Sequence, residues 1–186
     1  MTDQNTFLRR VIEALIEAEI PYMIAGSVGS SFHGQPRATN DADIVIDPTK
    51  NQLSIFLEQL VPDFYVSQQA ALQALEDRAM FNVIDIQSGY KADLIIRKQR
   101  PFSQQEFSRR ISAHLLGMDA YVLSPEDSIL SKLEWTQGRD SQTQLNDALG
   151  VLNLQKDKID FDYLKHWAKE LGILDALEQL LNTIDK

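Results

Sequence analysis

The chain has 186 residues, 44% hydrophobic and 24% charged, a composition that suits a globular protein with a real core, expected as one compact unit with a small appendage. It has no cysteine, which excludes a disulfide framework, thiolate-bound zinc and a cysteine nucleophile, and its three histidines, His33, His114 and His166, are too dispersed for a histidine-rich metal site. The net charge of −9 argues against a grip on long nucleic acid, which favours a basic patch, and the absence of a signal-peptide pattern or a membrane-length apolar run leaves a cytoplasmic protein as the expectation.

Phe7, Leu8, Val11, Ile12, Leu15 and Ile16 recur at helical spacing, so residues 5–19 read as an amphipathic helix that Pro21 ends. Tyr22 to Ala25 suits a short buried strand stopping at Gly26, and Ser27 to Phe32 a short helix. Gly34 to Asn40 reads as a loop. Ala42 to Ile46 is the next strand. Asp47-Pro48 is read as a helix start, with Asp as N-cap and Pro at the first position. A brief strand at 64–66 and a helix at 68–77 follow.

Residues 81–86 and 91–96 read as an antiparallel hairpin turning through Gln87 to Tyr90. A helix near 103–111 and a strand near 120–123 come next. Ser124-Pro-Glu-Asp carries a capping serine, a proline in the first turn and an acid three residues after the cap. From there the pattern is helical, near 125–137, 142–153, 161–170 and 173–184. Trp135, Trp167 and the C-terminal leucines are read as core. The expected plan is an α/β core at 1–123 and a helical region at 124–186.

Gly26-Ser27 falls where a strand becomes a helix. Glycine admits a phosphate close to the backbone, and the free amides of a helix start, with the serine hydroxyl, favour an anion. Asp41-Ala42-Asp43 opens an apolar strand. Residues two apart on a strand point the same way, so both carboxylates project together. Such a pair is costly unless a cation or water offsets it, and hard oxygen ligands suit Mg²⁺. Asp93, inside Ala92-Asp93-Leu94-Ile95-Ile96, is a third acid of this kind. If its strand neighbours that of Asp41 and Asp43, the cluster matches one that holds two metal ions about 3.5–4 Å apart. Asp85, in Val83-Ile84-Asp85-Ile86, is the rival third acid. Arg37, Thr39 and Lys132 are candidate phosphate contacts, against the plainer readings of a solvated loop arginine and a lysine snorkelling from an apolar face. His33 is read as packed or surface, not catalytic.

Gly26-Ser27, Asp41-x-Asp43 and Asp93 on a later strand together resemble the signature of the nucleotidyltransferase superfamily, with its polymerase-β-like fold. Within it, Gly89 to Asp93 and Ser124 to Trp135 are similar to segments of the AbiEii-type toxin nucleotidyltransferases and neighbouring small bacterial families. The resemblance implies an α/β (α+β) fold, a mixed sheet flanked by helices with a C-terminal helical region. It also implies Mg²⁺ (or Mn²⁺) held by Asp41, Asp43 and Asp93, an NTP contacted by Gly26, Ser27, Arg37, Thr39 and Lys132, and NMP transfer to an acceptor hydroxyl on a tRNA end, a protein or a small molecule. It favours Asp93 over Asp85 and a phosphate role for Lys132. Similar proteins often carry basic residues on the helix that ends in the counterpart of Asp147, where this chain has Thr143 and Asn146. The competing expectation is a nucleotide- or partner-binding module with little turnover, one half of a toxin–antitoxin pair or a homo-oligomer.

Overall fold

The first helix, α1 (Gln4–Glu17), starts where the Asp3 carboxylate accepts the Thr6 amide, a side-chain cap that satisfies one of the orphan donors of a helix start. The structure is a computed structural model and describes residues 3–39, 41–115, 117–138 and 141–183. The chain divides into two compact units, one formed by Met1–Ala25 with Thr39–Val122, the other by Gly26–Ala38 with Leu123–Lys186. Residues 26–38 thus belong with the helices that follow residue 122.

In the first unit, α1 buries Phe7, Leu8, Val11, Ile12 and Leu15 along one side, the stripe its spacing predicts. The strands are β1 (Tyr22–Ile24), β2 (Asp41–Ile46), β3 (Phe64–Tyr65), β4 (Met80–Asp85), β5 (Lys91–Ile96), β6 (Ile111–Leu115) and β7 (Met118–Val122), with helices α3 (Lys50–Gln59), α4 (Gln68–Asp77) and α5 (Pro101–Ser108) between them. The strands form one seven-stranded sheet in the order β3-β4-β5-β2-β1-β7-β6. It is mixed: β2 runs parallel to β5, and β1 to β7, while the remaining pairs are antiparallel. The expected hairpin over β4 and β5 is present, in register through Asn82↔Asp93 and Val83↔Ala92.

Two local expectations are corrected. Helix α3 does not start at Asp47-Pro48. Its N-cap is Thr49, in a capping box: the Thr49 amide donates to Gln52 Oε1 at 2.9 Å while the Gln52 amide donates to Thr49 Oγ1 at 3.3 Å. A reciprocal cap satisfies two amides where Asp47 would satisfy one. Asp47 instead takes Arg78 at 3.2 Å and Arg97 at 2.8 Å. The helix expected near 103–111 stops at Ser108, and Ile111–Leu115 becomes β6, paired with β7. Its run Ile-Ser-Ala-His-Leu alternates apolar and polar residues, a strand signature that was legible in the sequence, although on this largely exposed strand Ala113 is the one buried residue.

The second unit is helical: α2 (Gly26–His33), α6 (Pro125–Thr136), α7 (Gln142–Gln155), α8 (Phe161–Glu170) and α9 (Leu174–Leu181). Residue 184, the expected end of the last helix, lies outside the described residues. Ser124 caps α6 as expected, accepting the Asp127 amide at 3.1 Å and donating to Asp127 Oδ2 at 2.6 Å. The second oxygen of that buried carboxylate accepts the Tyr163 hydroxyl at 2.6 Å, tying α8 to the start of α6. Ile129, Leu130, Leu133, Val151, Leu152, Leu164 and Leu177 fill the core. Trp135 is not core: it is 60% exposed, because the buried face of α6 runs through Ile129 and Leu133 and leaves Trp135 off it. Among the described residues no helix is long and apolar enough to cross a membrane.

Candidate active site

Strand β2 buries Ala42, Ile44 and Ile46 and turns Asp41, Asp43 and Val45 to its other face. Strand β5 does the same, burying Ala92, Leu94 and Ile96 against the alternate Lys91, Asp93 and Ile95. The two strands are parallel neighbours in register, Asp41 beside Lys91 and Asp43 beside Asp93. Adjacent strands lie about 4.8 Å apart, and residues opposite one another share a face. Asp41, Asp43 and Asp93 therefore stand together on one face, with Asn82 of β4 next in line across from Asp93.

Asp85 does not belong to this group. It is 2% exposed, on the core side of β4, and accepts both the Ser88 amide, at 2.8 Å, and the Ser88 hydroxyl. Its oddity in an apolar strand has a local cause, the hairpin turn.

The acids already hold a cation. Lys91, two residues before Asp93 and on the same face, places its ammonium 3.1 Å from Asp93 Oδ1 and 3.5 Å from Asp41 Oδ2. Asn82 Nδ2 donates to the same Asp93 oxygen at 2.5 Å. The hydrogen bond to Asp93, aided by the charges of Asp93 and Asp41, holds the lysine above its ordinary value against the opposing effect of burial. With that ammonium between them, the carboxylates do not close on one point. Among the described residues no three His, Asp or Glu side chains form a ready metal chelate. The donor set nevertheless suits a hard divalent ion, being oxygen-only, anionic and mounted on neighbouring strands. Lys91 marks a place where these oxygens favour a positive charge.

In the second unit, Gly26 has φ of +56°, a left-handed conformation that costs a residue with a side chain roughly 1–2 kcal/mol. Glycine relieves that strain at the start of α2. Ser27 is 8% exposed. Its hydroxyl accepts Arg37 Nη2 and lies 3.5 Å from Lys132 Nζ. Both cations converge on one carboxylate: Arg37 Nε donates to Asp147 Oδ1 at 3.0 Å, and Lys132 Nζ to Oδ2 at 2.8 Å. Burial pushes the Asp147 carboxyl up, but the hydrogen bonds and charges of Lys132 and Arg37 together outweigh it and hold the group below its ordinary range.

Ser27, Arg37 and Lys132 are thus brought together, and neither plain reading of the two cations holds. Arg37 is not simply solvated, and Lys132, 5% exposed, does not snorkel. Thr39 lies in the first unit. Its hydroxyl donates to the Asp41 carbonyl at 3.0 Å and its own carbonyl accepts Gln4 Nε2 at 2.6 Å, so it shapes the backbone leading into β2. His33 is packed: Nε2–H donates to the Leu123 carbonyl at 2.7 Å, and burial lowers its pKa.

Sequence reasoning missed Lys91, Asn82 and the role of Asp147. The i, i+2 spacing of Lys91 and Asp93 on one strand was available as a signal. Asn82 is set by strand register and Asp147 by tertiary packing, and neither shows in local pattern.

No protein-family profile matches the sequence, and no curated protein is significantly similar to it. Solved structures are similar along almost the whole chain. The solution structure of the antibiotic-resistance factor ANT(2'')-Ia shares 13% identity over 98% of this chain and 95% of its own, with a TM-score of 0.58. An antigenic nucleotidyltransferase-like protein from Paracoccidioides brasiliensis shares 17% over 96% and 91%, with a TM-score of 0.61. The crystal structure of ANT(2'')-Ia in complex with adenylyl-2''-tobramycin shares 14% over 94% and 95%, with a TM-score of 0.57. The fold is that of the nucleotidyltransferases. At such identities the likeness speaks for the nucleotidyltransferase fold, and the chemistry rests on the side chains.

Proposed function

We propose that this chain is a nucleotidyltransferase that moves a nucleoside monophosphate from an NTP to an acceptor hydroxyl, with Mg²⁺ or Mn²⁺ held by Asp41, Asp43 and Asp93. The observation that carries the reading is the shared face of those three carboxylates on the parallel pair β2 and β5, within a nucleotidyltransferase fold. A divalent ion bound there would supply Lewis-acid stabilisation of charge on the phosphoryl oxygens.

The chain's own residues have separable tasks. Asp93 receives, directly or through water, the proton of the acceptor hydroxyl as that oxygen bonds to the α-phosphorus. The α–β phosphoanhydride bond breaks, and pyrophosphate leaves with its electron pair. Asn82 fixes the Asp93 carboxylate through its 2.5 Å hydrogen bond. In the second unit, Ser27 and the amides after Gly26 form the anion-binding start of α2, and Arg37 and Lys132 supply its positive charge. The net charge of −9 favours a cationic small molecule or a protein over RNA as acceptor. That one neighbouring structure holds an adenylylated aminoglycoside supports the small molecule. The Gly89–Asp93 and Ser124–Trp135 segments support a toxin-type relationship, with an antitoxin as partner.

A second reading, a nucleotide-binding module with little turnover, is favoured by one observation: Asp147 already engages both Arg37 and Lys132. Incubation with each α-labelled NTP and Mg²⁺, against aminoglycosides, tRNA and cell extract, separates the two. Label transfer with pyrophosphate release supports the enzyme. Nucleotide binding without release supports the module. Mn²⁺ with nucleotide should raise the melting temperature by mass action, and Asp43→Asn should abolish that rise while leaving the apoprotein folded. An undiminished rise in Asp43→Asn would remove the carboxylates from the metal site.

A further inference from the structure

The sheet face that carries the three acids also carries a lysine aimed into them. Lys91 is half-buried, its side chain 33% exposed, and its ammonium lies between Asp93 at 3.1 Å and Asp41 at 3.5 Å. Two features of the fold fix it there. The parallel register sets Lys91 directly beside Asp41. The i, i+2 relation sets it on the same face as Asp93.

Carboxylates this close repel one another, and the ammonium offsets that repulsion without any added ion. It reaches both oxygens of Asp93, Oδ1 at 3.1 Å and Oδ2 at 3.3 Å. Mg²⁺ takes its oxygens at about 2.0–2.1 Å in near-ideal octahedral geometry. An ammonium and a divalent ion cannot share that centre, because each needs the same lone pairs and like charges repel.

We infer that Lys91 is an internal counter-ion that occupies the metal position in the nucleotide-free protein and must be expelled when a divalent ion binds, so that metal loading is coupled to the arrival of the nucleotide. The inference rests on the metal reading of Asp41, Asp43 and Asp93. Bare metal pays for displacing a paired ammonium, whereas a metal–triphosphate complex brings negative charge to receive it. Lys91 is a positioning and selectivity residue in this scheme, and takes no part in the bond changes.

The test is Mn²⁺ titration of the full chain without nucleotide, read by calorimetry and by the paramagnetic resonance of free Mn²⁺. Lys91→Met should bind Mn²⁺ at least about tenfold more tightly than the wild type, equivalent to about 1.4 kcal/mol. Lys91→Arg, which keeps the charge, should stay within about threefold of the wild type. Adding Asp43→Asn to Lys91→Met should cancel the gain. If Lys91→Met folds poorly, Lys91→Gln carries the same test, since it keeps a donor for Asp93. Equal or weaker Mn²⁺ binding in a folded neutral variant, with binding retained in the wild type, overturns the inference and leaves the metal reading standing. No Mn²⁺ binding in either protein, with ATP or without, overturns the metal reading and the inference together.

Discussion

Lys132 Nζ lies 2.8 Å from Asp147 Oδ2, and the two side chains are only 6% and 7% exposed. A buried pair of this kind gains little over an apolar pair of similar volume, because both charges lose their water. Losing one partner is far worse, since the other is left as an uncompensated buried charge. Asp147→Ala is therefore expected to destabilise the protein by about 3 kcal/mol. Arg37, also bound to Asp147, is about one third exposed and adds less. The double variant Lys132→Met with Asp147→Leu should recover most of the loss. Urea unfolding of the wild type, Asp147→Ala and the double variant measures it, and a double variant no more stable than Asp147→Ala would show the pair to be more than mutual compensation.

The same carboxylate gives a sign to the pH dependence. Burial pushes Asp147 up, but the hydrogen bonds and charges of Lys132 and Arg37 together hold it below its ordinary value of 3.8. A carboxyl depressed in the folded state contributes stability that is fully present above its unfolded pKa and lost as pH falls through the folded one. The contribution should thus be constant above about pH 5 and decay below about pH 4. Melting temperatures taken from pH 7 down to 3 should fall more steeply in the wild type than in Asp147→Asn. Parallel curves would remove Asp147 as the source.

Much of this arrangement was legible in the sequence, and the reasons differ by residue. Asp41, Asp43 and Asp93 stood out because a carboxylate in an apolar strand has no packing rationale, and the period of two then fixes its face. Ser124 was legible as a cap because caps are local. Asp85 looked as odd as Asp93, yet its reason lies in Ser88, three residues on. Strand adjacency, by contrast, is decided by tertiary pairing: β5 lies beside β2 across a long insertion, and only the family resemblance anticipated it. The cap of α3 was misplaced because Asp47-Pro48 and Thr49-x-x-Gln52 are both valid starts. Arg78 and Arg97, distant in sequence, decide between them by claiming Asp47.

Gly34 tests the seam between the loop after α2 and helix α7. A methyl group placed there would lie 2.7 Å from the Val151 nitrogen and 3.0 Å from the Gly150 carbonyl carbon. Both are backbone atoms of α7 and cannot rotate away. Gly34→Ala should accordingly destabilise by about 1–3 kcal/mol, the range for overpacking a tight contact. Gly89→Ala is the control for backbone strain alone: its φ is +75° and nothing lies within 4 Å of the added carbon. Thermal unfolding of both separates steric from conformational cost. A Gly34→Ala protein as stable as the wild type would mean that α7 can shift away.

Ser27 is the sharpest test of the anion-binding role assigned to the start of α2. Its hydroxyl is buried and accepts Arg37, with Lys132 at 3.5 Å. Two outcomes follow from two different physical roles. If Ser27 only steadies the cations, Ser27→Ala removes one acceptor, Asp147 still binds both, and nucleotide affinity barely moves. If its hydroxyl also donates to a phosphate, the loss is that of a hydrogen bond to a charged group, about 1.5–3 kcal/mol, or roughly ten- to a hundredfold in affinity. We expect the second, with affinity for Mn²⁺ alone unchanged, because the carboxylates that would bind the metal lie on β2 and β5. Gly26→Val should be more severe in two respects, forcing a branched residue into φ of +56° and placing a side chain at the helix start. Titration of ATP and CTP against folded Ser27→Ala, with Mn²⁺ titrated separately, reads both quantities. An unchanged affinity for whichever nucleotide the wild type binds would leave Ser27 as a structural acceptor for Arg37, and move the phosphate contact to the amides of α2 alone.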